Sequence, residues 1–221
     1  MMQAYINIHT HRKARYEDEL AIRNAYHRAT DILYPVSCGL HPWLIDRYYS
    51  QELMQQLELN INQDNVFAIG ECGLDKAIHT DLELQKNILQ KHVNWAEMMG
   101  KPLVIHCVRA YNELVPFIKN SQATFLLHGY KGSEEQSKQL LKFDNVFFSF
   151  GKRLFQPEEG YLKSIKTIPL ERTLLETDNS NYTIKEIYKQ YALNKQMDEE
   201  VIKKQLYITF AHIFKLQLTK L

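Results

Sequence analysis

Short apolar runs alternate with amphipathic segments along most of the chain. Val66–Ile69 is continuously apolar and is followed by glycine, which is typical of a strand that is covered on both faces. Strands that alternate with helices predict a parallel sheet, and polar residues at nearly every strand end predict closure around one mouth. The pattern therefore predicts an α/β protein with a TIM-like β/α barrel. The predicted strands cover residues 4–8, 32–40, 66–69, 103–107, 124–128, 145–150 and 173–178.

Helical spacing and capping residues predict the segments between these strands. Ser50 is a candidate N-cap for a helix over residues 51–62, whose apolar side chains recur at fourfold spacing. Residues 15–30 give a weaker helical signal, and residues 110–119 and 157–166 are further amphipathic segments. Other predicted helix starts are marked by Thr80 with Glu83, Ser133 with Gln136, Thr183 with Glu186, and Asp198.

Composition and charge narrow the class of protein. Hydrophobic residues make up 45% of the chain and charged residues 24%, without repeats or a linker-like stretch, so we expect a single domain over residues 1–221. The net charge of +1 means that any contact with nucleic acid has to be local. No apolar run approaches the roughly 20 residues of a membrane span. The three cysteines are widely spaced, so we expect a reduced, cytoplasmic protein without membrane contact.

Six potential metal ligands lie at the ends of the predicted strands. Taken singly, each has an ordinary explanation, such as a surface pair for His9 and His11 or a loop cap for Glu71. Neutral imidazoles and carboxylates are good ligands for divalent ions. Four imidazoles and two carboxylates exceed what one tetrahedral ion needs, whereas two ions that share a carboxylate use all six. We therefore predict a metal site, with Glu71 as the natural bridge. The six residues are His9, His11, Glu71, His106, His128 and Asp178.

Six short motifs occur in a fixed order along the chain. They are His9-Thr10-His11, Gly39-Leu40-His41-Pro42, Ile69-Gly70-Glu71-Cys72-Gly73-Leu74-Asp75, Val104-Ile105-His106, His128-Gly129-Tyr130-Lys131-Gly132 and Leu175-Glu176-Thr177-Asp178. The ordered set resembles the TatD family of metal-dependent deoxyribonucleases. The resemblance covers essentially the whole chain and implies a distorted β/α barrel of the amidohydrolase type. It also implies phosphodiester hydrolysis with two divalent ions, which are Mg, Mn or Zn, commonly as a 3'-5' DNA exonuclease.

The resemblance also implies roles for individual residues. Asp178 and Glu71 are the catalytic residues, with Asp178 as the proton acceptor while it also coordinates. Arg109 is a candidate to clamp a phosphate oxygen, Asp75 to orient a ligand or the loop, and His41 to contact the substrate or support a ligand. For Arg109 and Asp75 a structural salt bridge is an equal alternative. The implied ligand sets are His9, His11, Glu71 and Asp178 for one ion, and Glu71, His106 and His128 for the other.

Several positions depart from the family pattern. Val108 takes the place of the usual arginine, and Arg109 falls one residue later. Asn7 stands where strand one normally has aspartate, and Lys76-Ala77 replaces an aromatic pair. Only 29 residues separate His11 from His41, where the family has room for a further strand and helix, so we expect a barrel shortened to about seven strands.

Three functions remain open at this stage. The first is a nuclease that acts on DNA ends or single strands, with Lys131, Lys152 and Arg153 as phosphate contacts, although a solvated basic face explains these three equally simply. The second is an amidohydrolase-type enzyme that cleaves a small ester, amide or phosphoester, and the near-neutral charge favours it. The third is a non-catalytic metal-binding descendant, against which the retention of all six ligands argues. We expect a monomer in each case.

Overall fold

A computed structural model describes residues 4–28 and 34–215, which form eight strands and eight α-helices. The strands are β1 (Tyr5–Thr10), β2 (Glu19–Asn24), β3 (Val36–Cys38), β4 (Val66–Asp75), β5 (Leu103–Val108), β6 (Phe125–Leu127), β7 (Val146–Phe150) and β8 (Thr173–Leu175). The helices are α1 (Ile45–Tyr48), α2 (Gln51–Ile61), α3 (Leu82–Met99), α4 (Tyr111–Lys119), α5 (Glu134–Leu140), α6 (Glu159–Thr167), α7 (Ile184–Lys195) and α8 (Glu199–Ile213). Short 3-10 helices cover Pro42–Leu44, Lys152–Phe155 and Leu170–Arg172.

The chain divides into two compact units. The central unit is Ile22–Leu127, and the terminal unit combines Met1–Ala21 with His128–Leu221. The expectation of a single domain stays a prediction. No described helix is long and apolar enough to cross a membrane.

The central unit is a parallel sheet in which β2, β3, β4, β5 and β6 pair in sequence order. The register between β4 and β5 shifts between Gly70 and Cys72, so that Glu71 falls at an irregularity in the ladder. Gly73 lies level with His106, and its φ of 145° is a conformation that side-chain-bearing residues rarely adopt. A Cβ at Gly73 would overlap the His106 carbonyl. Glycine therefore allows the two strands to approach closely where the acid and the histidine lie.

The terminal unit pairs β7 with β8 in parallel, and an isolated parallel bridge from Thr10 to Asp178 joins the end of β1 to the residues after β8. Helices α7 and α8 pack against β1 and β8, and Tyr188 of α7 is fully buried. Its hydroxyl accepts from the Ile6 amide at 3.1 Å, which ties α7 to β1. This hydrogen bond to a buried tyrosine therefore helps to fix the strand that leads to the first two histidines.

Most helix starts follow the predicted caps. The hydroxyls of Ser50 and Ser133 each accept from the backbone three residues on, and Thr183 with Glu186 forms a complete capping box. Asp198 caps α8 as predicted. The predicted start of α3 is wrong by one residue, because its N-cap is Asp81 and the Thr80 hydroxyl instead donates to Asp46.

The segment after His11 differs most from expectation. The helix predicted over residues 15–30 is wrong in its described part, because residues 19–24 form β2. The alternation of Leu20 and Ile22 is a strand signal that outweighs the weak helical one. The expectation of about seven strands is consequently too low by one. Residues 29–33, which include part of the predicted strand over 32–40, lie outside the described residues.

Candidate metal centre

The terminal unit brings together three of the predicted histidines and one carboxylate. Nε2 of His11 lies 3.3 Å from Oδ1 of Asp178, and Nε2 of the buried His9 lies 3.8 Å from the same oxygen. The rings of His9 and His128 are 4.4 Å apart between centroids. Backbone bonds hold these groups in place, since the Asp178 amide donates to the His9 carbonyl and the His11 amide to the Asp178 carbonyl. His9, His11, His128 and Asp178 therefore form one cluster, called here the terminal cluster.

The imidazoles determine the charge state of Asp178. Burial by itself raises the pKa of this carboxyl, but the hydrogen bond from His11 and the nearby His9 and His128 rings outweigh it and lower the pKa to about 2. Asp178 is therefore ionised at neutral pH. Lys152 adds a further positive charge, with Nζ at 3.8 Å from Oδ2.

Two side chains that the sequence reasoning left without a role support this cluster. Glu176 is buried, and its Oε1 lies 3.4 Å from Nδ1 of His128, so it is placed to orient that ring. Asn7 donates to Thr177 Oγ1 at 3.0 Å and accepts from the Thr177 amide at 3.0 Å, which fixes the residue next to Asp178. Asn7 also donates to Glu19 at 2.8 Å. An aspartate in its place would face the Glu19 carboxylate, which explains why asparagine suits this chain.

The central unit surrounds Glu71 with three partners, and this group is called here the central cluster. Oε1 of Glu71 lies 2.9 Å from Nε2 of His41 and 3.1 Å from Nδ1 of His106. Oε2 accepts a 2.9 Å hydrogen bond from the Asn24 amide, and both residues are buried. The amide orientation of Asn24 is set by Tyr26, whose backbone N–H donates to its Oδ1. Each oxygen of Glu71 is thus held from a different strand end.

Asp75 supports the other side of His106. Its Oδ2 accepts from Nε2 of His106 at 3.0 Å and from the Trp43 indole at 2.7 Å, while its Oδ1 accepts from the Ala77 amide. Burial alone raises the pKa of this carboxyl, but the hydrogen bonds from Trp43, His106 and Ala77 outweigh it, so the pKa lies below its usual value.

The hydrogen-bond pattern of the central cluster suits a divalent ion. His41 accepts from the Trp43 amide on Nδ1, so its Nε2 carries the proton that is donated to Glu71. His106 donates Nε2–H to Asp75, which leaves a lone pair on Nδ1 only 3.1 Å from a carboxylate oxygen. Two acceptors this close require a shared cation, either a proton or a metal ion. An ion in place of the protons shared with Glu71 would have candidate ligand atoms from His41, Glu71 and His106, which all lie within 4.8 Å of one another.

Arg109 lies apart from these contacts. It is exposed in the turn between β5 and α4, with a positive φ of 54°. Its proposed phosphate contact stays a prediction. Conversely, Asn24 was missed because its segment was assigned to a weak helix, although the alternation of Leu20 and Ile22 just before it indicated a strand end.

Comparison with known proteins gives the chain a family. The sequence profile of the family described as "TatD related DNase" matches residues 3–215. A human protein named 3'-5' RNA nuclease TATDN2 is 30% identical over 164 residues, which are 70% of this chain and 21% of that protein. The first curated relatives have slightly more than half of their length matched by the chain, at 55% each.

Two solved structures share the fold. The TatD homologue YjjV of Escherichia coli has a TM-score of 0.73 at 21% identity and covers 83% of this chain and 78% of that one. A TatD family hydrolase of Entamoeba histolytica has a TM-score of 0.74 at 20% identity and covers 96% and 98%. At such identities the likeness concerns the fold alone, and it confirms the predicted TIM-like β/α barrel.

Proposed function

The chain belongs to the TatD-related DNase family of metal-dependent hydrolases, as its motifs predicted, and from this premise we propose that it hydrolyses phosphodiester bonds of nucleic acid with two divalent ions. The observation that carries the proposal is the pairing of imidazole nitrogens with carboxylate oxygens in both units, at strand ends. The ion identity among Mg, Mn and Zn is part of what the test determines.

The family resemblance supplies the ligand assignment. One ion is assigned to His9, His11, Asp178 and Glu71, and the other to Glu71, His106 and His128. Ions bound there would lower the pKa of a coordinated water molecule and would neutralise negative charge on the phosphoryl oxygens.

Asp178 is the proposed proton acceptor. The pKa of about 2 keeps its carboxylate ionised at neutral pH, and His11 holds Oδ1. Oδ2 is then the atom that takes the proton of the attacking water. The Lys152 ammonium, 3.8 Å from Oδ2, is placed to attract the phosphate toward this carboxylate.

The central cluster contributes orientation. His41 and Asn24 each donate to a different oxygen of Glu71, which fixes the plane of that carboxylate. Asp75 fixes the ring of His106 through Nε2, so that Nδ1 faces Glu71. Such support by a neighbouring carboxylate sets the direction in which the ring presents its other nitrogen.

The test is hydrolysis of end-labelled single-stranded DNA and RNA by protein loaded with Mn²⁺, Mg²⁺ or Zn²⁺. The human relative carries the name of a 3'-5' RNA nuclease, so RNA stands beside the DNA that the sequence resemblance implied. Glu71→Gln and Asp178→Asn are each expected to lower kcat/KM at least about 100-fold, because each removes a ligand charge and, for Asp178, the proton acceptor. Glu58→Gln, an exposed acid on α2, is the matched control and retains activity. Full activity of Glu71→Gln would refute the mechanism.

A second candidate is hydrolysis of a small phosphoester, ester or amide. The net charge of +1 favours it, because long nucleic acids are usually bound by a broad basic surface. Chromogenic p-nitrophenyl phosphate and p-nitrophenyl acetate assays distinguish it, since turnover of these without cleavage of any oligonucleotide selects the second candidate. If the protein binds metal but hydrolyses none of these substrates, the third interpretation, a non-catalytic metal-binding descendant, is selected.

A further inference from the structure

A stacked pair of aromatic rings joins the turn between β8 and α7 to the short 3-10 helix after β7. Tyr182 follows Asp178 in this turn, and its ring lies parallel to that of Phe155, with centroids 3.6 Å apart and planes 4° apart. Phe155 ends the short 3-10 helix after β7 and is half-buried, whereas Tyr182 is 37% exposed. A ring backed by a second ring keeps a fixed orientation. The pair, called here the Phe155–Tyr182 platform, therefore places a rigid, partly exposed aromatic ring at the surface of the terminal unit.

Cationic side chains reach the same turn from two directions. Arg12 donates to Oδ1 of Asn181 at 2.8 Å, and Arg15 donates to the Asn181 carbonyl at 3.2 Å. From the other direction Lys152 donates to Oδ1 of Asn179 at 3.0 Å. Lys13 and Tyr182 line one hollow of the surface together with both arginines. Four exposed cations thus border the turn that carries Tyr182 of the platform and Asp178 of the terminal cluster.

These contacts alone have a plain structural explanation, since they hold the turn in place. A guanidinium has five N–H donors, however, and the contact of Arg12 or of Arg15 with Asn181 uses one of them. Three carboxylates lie close by and keep their negative charges: Glu19 accepts from Asn7 and the Arg15 amide, Glu186 caps α7, and Asp178 lies 3.8 Å from Lys152. The four cations exceed these three carboxylates by one, so a small local positive excess remains in a chain whose net charge is only +1.

We propose that this surface binds the end of a single-stranded nucleic acid, with one base stacked on Tyr182 and the adjoining phosphates on Arg12, Arg15 and Lys152. The inference rests on the proposed function and names its substrate class. A flat ring bordered by cations is the arrangement that binds single strands, because every base has a face that stacks and every linkage has a charge. The terminal base of a blunt duplex is held in its pair and on its inner neighbour, so it cannot turn independently onto Tyr182 with its own phosphates on the cations, and a blunt duplex is disfavoured. An acidic peptide matches the charge but not the flat face.

The first experiment measures binding without turnover. Full-length protein in EDTA is titrated with a short single-stranded oligonucleotide that carries 2-aminopurine at its terminal position, as DNA and as RNA. Stacking quenches the fluorescence of this base, so wild-type protein is expected to quench it on binding. Arg12→Gln is expected to weaken binding and to lower the slope of log affinity against log salt by about 0.7, as for one phosphate contact on a single strand.

The variants separate stacking from folding. Tyr182→Ala is expected to bind roughly tenfold more weakly and to lose the quench, whereas Tyr182→Phe retains both. Tyr182→Leu keeps an apolar side chain over Phe155 without a planar ring, and it is expected to behave as the alanine variant does. Tyr49→Ala, which removes an exposed tyrosine of the central unit, is the matched control and binds as wild type.

The second experiment compares substrates with the metal-loaded enzyme. The ratio of kcat/KM on the oligonucleotide to kcat/KM on bis-p-nitrophenyl phosphate is expected to fall about tenfold in Tyr182→Ala and Tyr182→Leu. Unchanged affinity and quench in folded Tyr182→Ala and Tyr182→Leu overturn the inference. So does a blunt duplex that binds as tightly as the single strand, or polyglutamate that displaces the strand equally well. If wild type binds with the expected quench but cleaves no phosphodiester, the proposed function fails while the binding surface stands.

Discussion

At the scale of single residues, hydrogen-bond partners decide what each carboxylate can do. Glu71 is held by His41 at one oxygen and by Asn24 at the other, at 2.9 Å in both cases. Asp75, which lies in the same glycine-containing stretch as Glu71, instead accepts from Trp43, His106 and Ala77. The sequence could predict both acids but not this division, because the partners come from distant segments.

Asn24→Ala is expected to weaken Mn²⁺ binding about 10-fold to 100-fold, because one Glu71 oxygen loses its buried donor. Asn24→Asp is expected to weaken it further, since two carboxylates would then face each other. Isothermal titration with Mn²⁺ measures the affinity, and Asn62→Ala, at an exposed asparagine of the same unit, serves as the control. Equal affinities in all four proteins would mean that Asn24 does not position Glu71.

His92 gives a prediction about pH. Its Nδ1 lies 2.8 Å from the Ile88 carbonyl and its Nε2 accepts from the Leu40 amide, which ties α3 to the residue before His41. Burial lowers the pKa of this ring from 6.5 to about 4. In the unfolded chain His92 is therefore protonated below about pH 6.5, whereas in the folded chain it is protonated only below about pH 4.

The contribution of neutral His92 to the free energy of unfolding is complete above pH 6.5 and is lost as the pH falls toward 4. Between pH 7 and pH 5 the loss is about 2 kcal/mol in the free energy of unfolding. Urea denaturation at the two pH values measures it, and His92→Gln is expected to show a pH dependence smaller by that amount. A His92→Gln profile that parallels wild type would contradict the prediction.

At the scale of elements, features that depend on neighbouring residues were predicted well, and features that depend on pairing with distant segments were predicted poorly. The caps at Ser50, Ser133 and Asp198 are confirmed because a cap is decided within three residues. Strand β2 was mistaken for a helix because its weak local pattern acquires its meaning only when Asn24 pairs with Ser37 of β3. Neither the bulge beside Glu71 nor the partners of that residue could be inferred from residues 66–75 alone.

The contact of β4 with β5 yields a matched pair of variants. Gly73→Ala is expected to cost at least about 3 kcal/mol, because the residue has φ 145° and its Cβ would overlap the His106 carbonyl. Gly160→Ala in α6 is expected to be neutral or to stabilise by about 0.5 kcal/mol, since nothing lies within 4 Å of the added carbon. Urea denaturation compares the two, and similar stabilities would contradict this account of Gly73.

At the scale of the molecule, the family motifs predicted more than the elements did. The barrel class and the family are confirmed, whereas the strand count and the helix over residues 15–30 were wrong. Motifs succeed here because metal chemistry restricts which residues stand at strand ends. The total charge of +1 gave no hint of the cations around the Phe155–Tyr182 platform, because it sums over the chain and carries no position.

Binding of divalent ions is expected to stabilise the whole protein. An ion present at about 100 times its Kd adds about 2.7 kcal/mol, which corresponds to a rise in Tm of roughly 5–10 °C for a chain of this size. Thermal melts in EDTA and in excess Mn²⁺ measure the shift, and Glu71→Gln is expected to lose most of it. Identical melts of wild type with and without Mn²⁺ would argue against metal binding by the native state.

The terminal unit draws on both ends of the chain, and this has a consequence for biosynthesis. His9 and His11 leave the ribosome long before Asp178, whose backbone pairs with theirs. The central unit is contiguous, so its residues are all available while the terminal cluster still lacks its carboxylate. Translation thereby completes the residues of the central unit before those of the terminal cluster. A nascent chain that stops before Asp178 has His9 and His11 without the carboxylate that pairs with them.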